Sequence, residues 1–254
     1  MNIAVCVKQI PDPNQPYALE NGRLKREGIT PVLDPGDEFG VEAALQLVEK
    51  HGGEVTVISM GPAKAVEAVR RALSMGAHRA ILVTDDRLAG ADGLTTAKVL
   101  AAAIRRAQPD LVIAGAESTD GSMGTVPGTV AALLGFPQCT VAKHVEVRDG
   151  SVVAHRQTER GHDVVEMPLP ALVTVTAAVA QPRYPSFKGI MAAKSRPLEQ
   201  LTVADLGLPD TDVVPTQAVV GTSPAPERGA GEVVEDSGDG ADRIVQFLVQ
   251  AKVL

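Results

Sequence analysis

The strongest constraint on this chain is the alternation of short apolar runs with helix-length stretches through its first 135 residues. Residues 2–9 read as a buried strand. Residues 10–35, rich in Pro, Asp and Asn, read as a long excursion with a hairpin around Asn21-Gly22. Excursions of that length inside a compact domain are usually functional or disordered. Asp34-Pro35-Gly36-Asp37 opens a helix that runs to about residue 51 and stops at Gly52-Gly53. Glu54–Ser59 is a second strand. Gly61-Pro62 then leads into a helix ending at Met75, with Gly76 as its cap. A third strand spans 79–83. A helix spans 93–107 with Asp92 as N-cap. Leu111–Ala114 is a short fourth strand, and 126–135 a helix with Pro127 in its first turn. Continuous apolar strands between helices predict an open, doubly wound parallel sheet, covered on both faces.

After residue 137 the rhythm changes. Val141–Val147, Ser151–Gln157 and Asp163–Glu166 read as short antiparallel strands, with a turn at Asp149-Gly150, and Ala171–Thr176 as one more buried strand. The expected organisation is an α/β domain over 1–207 and an extended acidic arm over 208–254. Residues 208–240 hold seven acids and one base, so they carry nearly all of the chain's net charge of −7. That segment is too polar to offset its own ordering entropy. Asp242–Val253 returns to a helical pattern, with Ile244, Val245, Leu248, Val249 and Val253 apolar. The pattern fits an arm that docks on another protein and equally a tail that folds back.

Several function classes are excluded. A nucleic-acid binder should present a basic field, and here bases cluster only near 183–196. No window holds 18 uninterrupted apolar residues, the start lacks a basic leader, and two cysteines make no disulfide framework. The expected location is the cytoplasm. Five histidines, at 51, 78, 144, 155 and 162, show no metal-ligand spacing. There is no Walker loop, no Gly-x-Gly-x-x-Gly after the first strand and no Gly-x-Ser-x-Gly elbow.

Two segments remain. The loop after the fourth strand reads Gly115-Ala116-Glu117-Ser118-Thr119-Asp120-Gly121-Ser122-Met123-Gly124-Thr125-Val126. Glycines that turn backbone N–H groups inward, hydroxyls at Ser118, Thr119, Ser122 and Thr125, and the start of a helix together make a phosphate cradle. Spacing alone fits a tight packing turn as well. In an open parallel sheet the carboxyl ends of Cys6-Val7-Lys8 and Ser59-Met60-Gly61, with Asp34–Asp37, share that rim. The second segment is 180–199. Pro182, Pro185 and Pro197 forbid a long helix or a central strand there. Tyr184 and Phe187 are two of only six aromatic residues. Arg183, Lys188, Lys194 and Arg196 surround them. A Phe ringed by cations suits a partner anchor; composition alone favours a connecting loop that tucks its Phe into its own core.

Resemblance bears on these alternatives. Val5-Cys6-Val7-Lys8-Gln9, Val41-Glu42-Ala43-Ala44, Gly61-Pro62, Ala72-Leu73-Ser74-Met75-Gly76-Ala77, Glu117-Ser118-Thr119-Asp120, Leu169-Pro170-Ala171, and Pro182-Arg183-Tyr184 followed by Ile190-Met191 occur in this order. Taken together they resemble the electron transfer flavoprotein beta subunit over about four-fifths of the chain. The resemblance implies an electron carrier subunit that makes no bonds itself. It implies a structural AMP held by Cys6, Asp34, Pro35, Gly36, Asp37, Met60 and residues Gly115 to Val126. It implies FAD bound mainly by an alpha subunit, on which the arm wraps. It further implies a recognition loop within 183–197. There Arg183, Tyr184, Pro185, Ser186, Phe187, Lys188, Gly189, Ile190 and Met191 grip flavin dehydrogenases, acyl-CoA dehydrogenases among them, and Phe187 plugs a partner pocket. Electrons would leave for a membrane-bound quinone oxidoreductase. Many members carry Asn where this chain has Asp34. Members that bifurcate electrons from NADH hold a second flavin in place of AMP. They typically read Asp-Gly-Asp-Thr-Ala-Gln-Val-Gly where this chain reads Asp120-Gly121-Ser122-Met123-Gly124-Thr125-Val126-Pro127. Aromatic residues that some members set near the flavin, at positions matching Pro13 and Gly36, are absent here. A stand-alone adenine-nucleotide sensor resembling universal stress proteins is the remaining alternative.

Overall fold

The computed structural model describes all residues except 21, 22, 27, 29, 224, 225, 227, 228, 230 and 232. It divides into Met1–Val220 and Gly221–Leu254.

In the larger unit the alternating runs become strands Asn2–Cys6 (β1), Gln9–Pro11 (β2), Leu19–Glu20 (β3), Arg23–Leu24 (β4) and Pro31–Leu33 (β5), then helix Pro35–His51 (α1). Strand Glu54–Met60 (β6), helix Val66–Met75 (α2), strand Arg79–Val83 (β7), helix Gly93–Ala107 (α3), strand Leu111–Gly115 (β8) and helix Val126–Leu134 (α4) follow. The chain then forms strands Gln138–Arg148 (β9), Ser151–Thr158 (β10), Gly161–Pro168 (β11) and Ala171–Val175 (β12), helix Phe187–Ser195 (α5) and strand Leu198–Leu201 (β13). The main sheet has nine strands in the order β11-β10-β9-β12-β8-β1-β6-β7-β13. From β9 to β13 every neighbouring pair is parallel, while β10 pairs antiparallel with both β9 and β11. This is the doubly wound sheet with an antiparallel addition that the hydrophobic pattern predicts.

Strand character follows burial. β8 is buried throughout and so is β12, as continuous apolar runs require. One core lies between the sheet and α1, α2 and α5 and includes Ile3, Val5, Val41, Leu73 and Ile113. A second lies on the opposite face under α3 and α4, around Ala4, Ile58, Ile104 and Val112. Helix ends obey local chemistry. Asp92 caps α3 by accepting the Thr95 N–H at 2.8 Å. Its other oxygen accepts the N–H groups of Thr216 and Gln217, at 2.6 and 3.0 Å, and so also fastens the last residues of the larger unit.

Three details differ from the sequence reading. The first strand stops at Cys6, because the chain turns at Val7-Lys8 and continues as β2, which pairs with β5 rather than with the main sheet. β3 pairs with β4 as the expected hairpin, whose Asn21-Gly22 turn lies outside the described residues. Leu198–Leu201 adds a parallel edge strand beside β7. The segment around Phe187 is a nine-residue helix rather than a loop. Its N-cap is Ser186, whose hydroxyl accepts the Gly189 N–H at 3.1 Å.

The smaller unit contains helix Gly240–Gln250 (α6), offset by two or three residues from the expected 242–253. Ile244, Val245, Phe247 and Val249 are exposed. No described helix is long and apolar enough to cross a membrane.

Candidate functional site

Strand order locates the site. From β1 the chain moves one way to β6 and β7, then returns through α3 to β8 on the other side of β1. That reversal opens a crevice beyond the carboxyl ends of β1 and β8, the place where open α/β sheets bind ligands. The residues emerging there are Cys6-Val7-Lys8 and the 115–126 loop, with the start of α1 between them.

Asp34 organises this crevice. It is fully buried and caps α1 by accepting the Gly36 N–H at 2.9 Å. The same carboxylate accepts the Thr119 N–H and the Thr119 hydroxyl, both at 2.7 Å. Four oxygen lone pairs are available to a carboxylate, so three donors are easily served. An amide would turn an NH2 group toward one of them. The Asp in place of Asn is thus accounted for by a partner within the chain. Thr119, read as a hydroxyl donor for a ligand, spends that donor on Asp34.

Asp37 sits one turn into α1 and accepts the Lys8 N–H at 2.7 Å. Burial, then the neighbouring Asp34 charge, push its pKa well above the usual carboxylate range. Gly115 passes directly over it, since a Cβ at Gly115 would come within 2.9 Å of an Asp37 oxygen. The site therefore needs glycine there. A group whose folded pKa is raised contributes stability below the ordinary carboxylate pKa and loses it as pH climbs toward the folded value. Asp37→Asn keeps the acceptor for Lys8 and removes the charge. The variant should melt above the wild type by roughly 2–4 °C or more at pH 8, the shift that about 1 kcal/mol produces in a chain this long. The gap should shrink at pH 5. Equal gaps in thermal melts at the two pH values would contradict this account of Asp37.

At the tip of the loop the Asp120 carboxylate is enclosed. It accepts Lys8 Nζ at 2.6 Å and the Arg26 guanidinium at 2.5 Å. Burial opposes its ionisation, but the two cations outweigh burial and hold its pKa below the ordinary range. Lys8 Nζ also reaches the Ser118 hydroxyl at 3.1 Å. Ser122 adopts a left-handed conformation, φ 45°, and its N–H, like that of Gly121, turns back to the Ser118 carbonyl. Residues 121–125, Met123 among them, are exposed at the mouth.

The structure brings together Cys6, Asp34 to Asp37, Gly115 and the loop through Asp120, while Met60 stands at the end of β6 beside them. Cys6 is half-buried, and burial pushes its thiol up to about 12, which makes it a packing residue rather than a nucleophile. The sequence sets Lys8 on the rim without a role of its own and does not mark Arg26. Lys8 follows a strand instead of opening a helix, and Arg26 lies in the excursion, so no local spacing marks either.

The second segment is mounted rather than loose. Arg183 Nε meets Glu42 at 2.7 Å and Nη1 meets Glu49 at 2.5 Å, both on α1. Arg196 donates to the carbonyls of Gly76 and Ala77. Two of the four cations expected to ring Phe187 are therefore turned inward. Arg70 of α2 donates to the carbonyls of Ala193 and Arg196. A Cβ at Gly189 would run into the Ser74 carbonyl, so glycine allows α5 to lie close on α2. Pro185 is half-buried and Lys188 is exposed. On the outside, Tyr184 is 89% and Phe187 80% exposed, with Ile190 and Met191 about half exposed.

Comparison with known proteins gives this arrangement its place. The electron transfer flavoprotein domain matches residues 22–206. The chain is 42% identical over its whole length to the electron transfer flavoprotein subunit beta of Mycobacterium tuberculosis, covering 99% of that protein. It is 33% identical to the subunit of the same name from Bacillus subtilis, with both chains fully covered. A further relative is the caffeyl-CoA reductase-Etf complex subunit CarD of Acetobacterium woodii, 38% identical over 92% of each chain. With the sheet order, the rim and the mounted α5 in place, the chain belongs to the electron transfer flavoprotein beta-subunit family.

Proposed function

We propose that this chain is the beta subunit of a non-bifurcating, cytoplasmic electron transfer flavoprotein. It holds AMP in the crevice between β1 and β8 and joins an alpha subunit that carries FAD. The observation that carries the reading is the 115–126 loop, fastened by Asp34 and Asp120 across the switch point of the sheet. Its donor set suits a phosphate ester, with two cations, the hydroxyls of Ser118 and Ser122, and the start of α4. AMP, when bound, would serve as a scaffold that ties the loop to β1 and α1. Residues Asp34 to Asp37, Cys6 and Met60 would wall its nucleoside end. Tyr184 to Met191 would receive acyl-CoA dehydrogenases or similar donors, and electrons would pass through the alpha-subunit FAD to a membrane quinone oxidoreductase.

A second reading has one observation in its favour. A relative is named as part of a caffeyl-CoA reductase-Etf complex, which suits a dedicated reductase complex with a second flavin. The loop's Ser122-Met123-Gly124-Thr125, in place of Asp-Thr-Ala-Gln, supports AMP instead.

Size-exclusion of the chain expressed alone and with its alpha subunit tests the assembly. The lone chain should carry no flavin, and the pair should elute together with bound FAD. A lone chain that forms a homodimer loaded with ATP would favour a stand-alone sensor.

A further inference from the structure

We propose that Lys8 and Arg26 are the cations that meet the phosphate of a nucleotide in this crevice, with Asp120 as the internal counter-ion that holds both in position. The assignment rests on the adenylate reading and adds to it the residues that recognise the ligand's anionic end.

Three observations carry it. First, the two cations come from separate stretches of the chain, which the pairing of β2 with β5 brings to one place. Lys8 follows β1, Arg26 precedes β5, and Asp120 lies 112 and 94 positions away from them, respectively. Two cations thus converge on one carboxylate. Second, burial is unequal. The Asp120 side chain is enclosed, whereas those of Lys8 and Arg26 are 39% and 46% exposed. The carboxylate is the hidden partner, and each cation keeps an exposed face. Third, counted among the described residues, both cations hold donors in reserve. An ammonium has three N–H groups, and Lys8 spends two, on Asp120 and Ser118. A guanidinium has five, and Arg26 gives one to Asp120. Of the other acids at the crevice, Asp34 is turned to Thr119 and Gly36, Asp37 accepts the Lys8 backbone N–H, and Glu117 is exposed on the same loop.

A purely structural lock, tying the loop to β1, uses the same contacts but predicts a different response. Loss of a lock weakens binding of the whole nucleotide, while loss of a phosphate contact weakens only the ligand that has a phosphate. The experiment uses the heterodimer freed of bound nucleotide and titrates AMP and adenosine by calorimetry into the wild type, Lys8→Gln, Lys8→Arg and Arg26→Gln. Hydrogen bonds to charged groups are strong enough to change affinity about tenfold or more when lost. We expect AMP affinity to fall by that factor in Lys8→Gln and Arg26→Gln, adenosine affinity to stay within about twofold, and Lys8→Arg to retain most of the AMP affinity. If Lys8→Gln does not assemble, Arg26→Gln decides, because its side chain belongs to a surface excursion. Equal losses for AMP and adenosine, or no loss for AMP, would overturn the assignment. A wild-type heterodimer that binds neither ligand would overturn the adenylate reading itself and this assignment with it.

Discussion

Replacing Phe187 with alanine should raise the apparent KM for the electron-donating dehydrogenase about thirtyfold and leave the FAD content unchanged. Thirtyfold corresponds to about 2 kcal/mol, the threshold of an interface hot spot. The physical case is the position of the side chain. Phe187, Ile190 and Met191 stand at i, i+3 and i+4 of α5 and so share one face. The opposite side of the helix is committed, with Ala193 buried and Gly189 close on the Ser74 carbonyl. A chain with six aromatic residues leaves Tyr184 and Phe187 more exposed than any other aromatic side chain. Such a patch is costly in water unless something covers it. Because the helix is already fixed by Ser186, Arg70 and Arg196, a partner need not order it, which favours affinity. Steady-state kinetics with the dehydrogenase as the varied substrate measures the effect. An unchanged KM would remove Phe187 as the anchor.

Arg183→Met should destabilise the protein by about 2–3 kcal/mol. The usual cost of breaking a buried ion pair is roughly 3–5 kcal/mol, and the value is reduced here because the Arg183 side chain is one-third exposed. Glu42 is buried on α1 and receives Arg183 Nε at 2.7 Å and Nη2 at 2.9 Å, with Gln46 as its remaining side-chain donor at 2.8 Å. Burial works against the Glu42 charge, yet the bonds from Arg183 and Gln46 hold its pKa below the ordinary value. A depressed carboxylate contributes stability above its unfolded pKa and loses it as pH falls through the folded one. The variant should therefore lose more stability near neutral pH than in acid. It should also weaken dehydrogenase docking, since Arg183 fastens the segment that carries Tyr184. Adding Glu42→Leu should restore much of the stability, because no buried charge is then left alone. Urea denaturation of the purified complex at neutral and acid pH checks the stability of each variant, and steady-state kinetics with the dehydrogenase as the varied substrate checks the docking. Wild-type stability in Arg183→Met would show that the clamp contributes little.

How far the sequence went depends on the range of the interaction. Arg79–Val83, Gly93–Ala107 and the Asp92 cap were legible because apolar periodicity and capping are local. The helix at 187–195 was not, because Pro182, Pro185 and Gly189 signal a loop. The signal present was Ser186 followed by apolar residues at 187, 190 and 191. β13, Leu-Glu-Gln-Leu, lacks β-branched residues and is a strand through its pairing with β7. The rim itself was legible from strand ends. Its electrostatics were not, because Lys8, Arg26, Asp34, Thr119 and Asp120 meet only through the fold, and a lone cation in a sequence carries no address.

The most direct test of the central claim is an inventory of nucleotides. The purified heterodimer is denatured, and the released molecules are identified by mass and counted. One FAD and one AMP per heterodimer are predicted. Two FAD and no AMP would contradict the account.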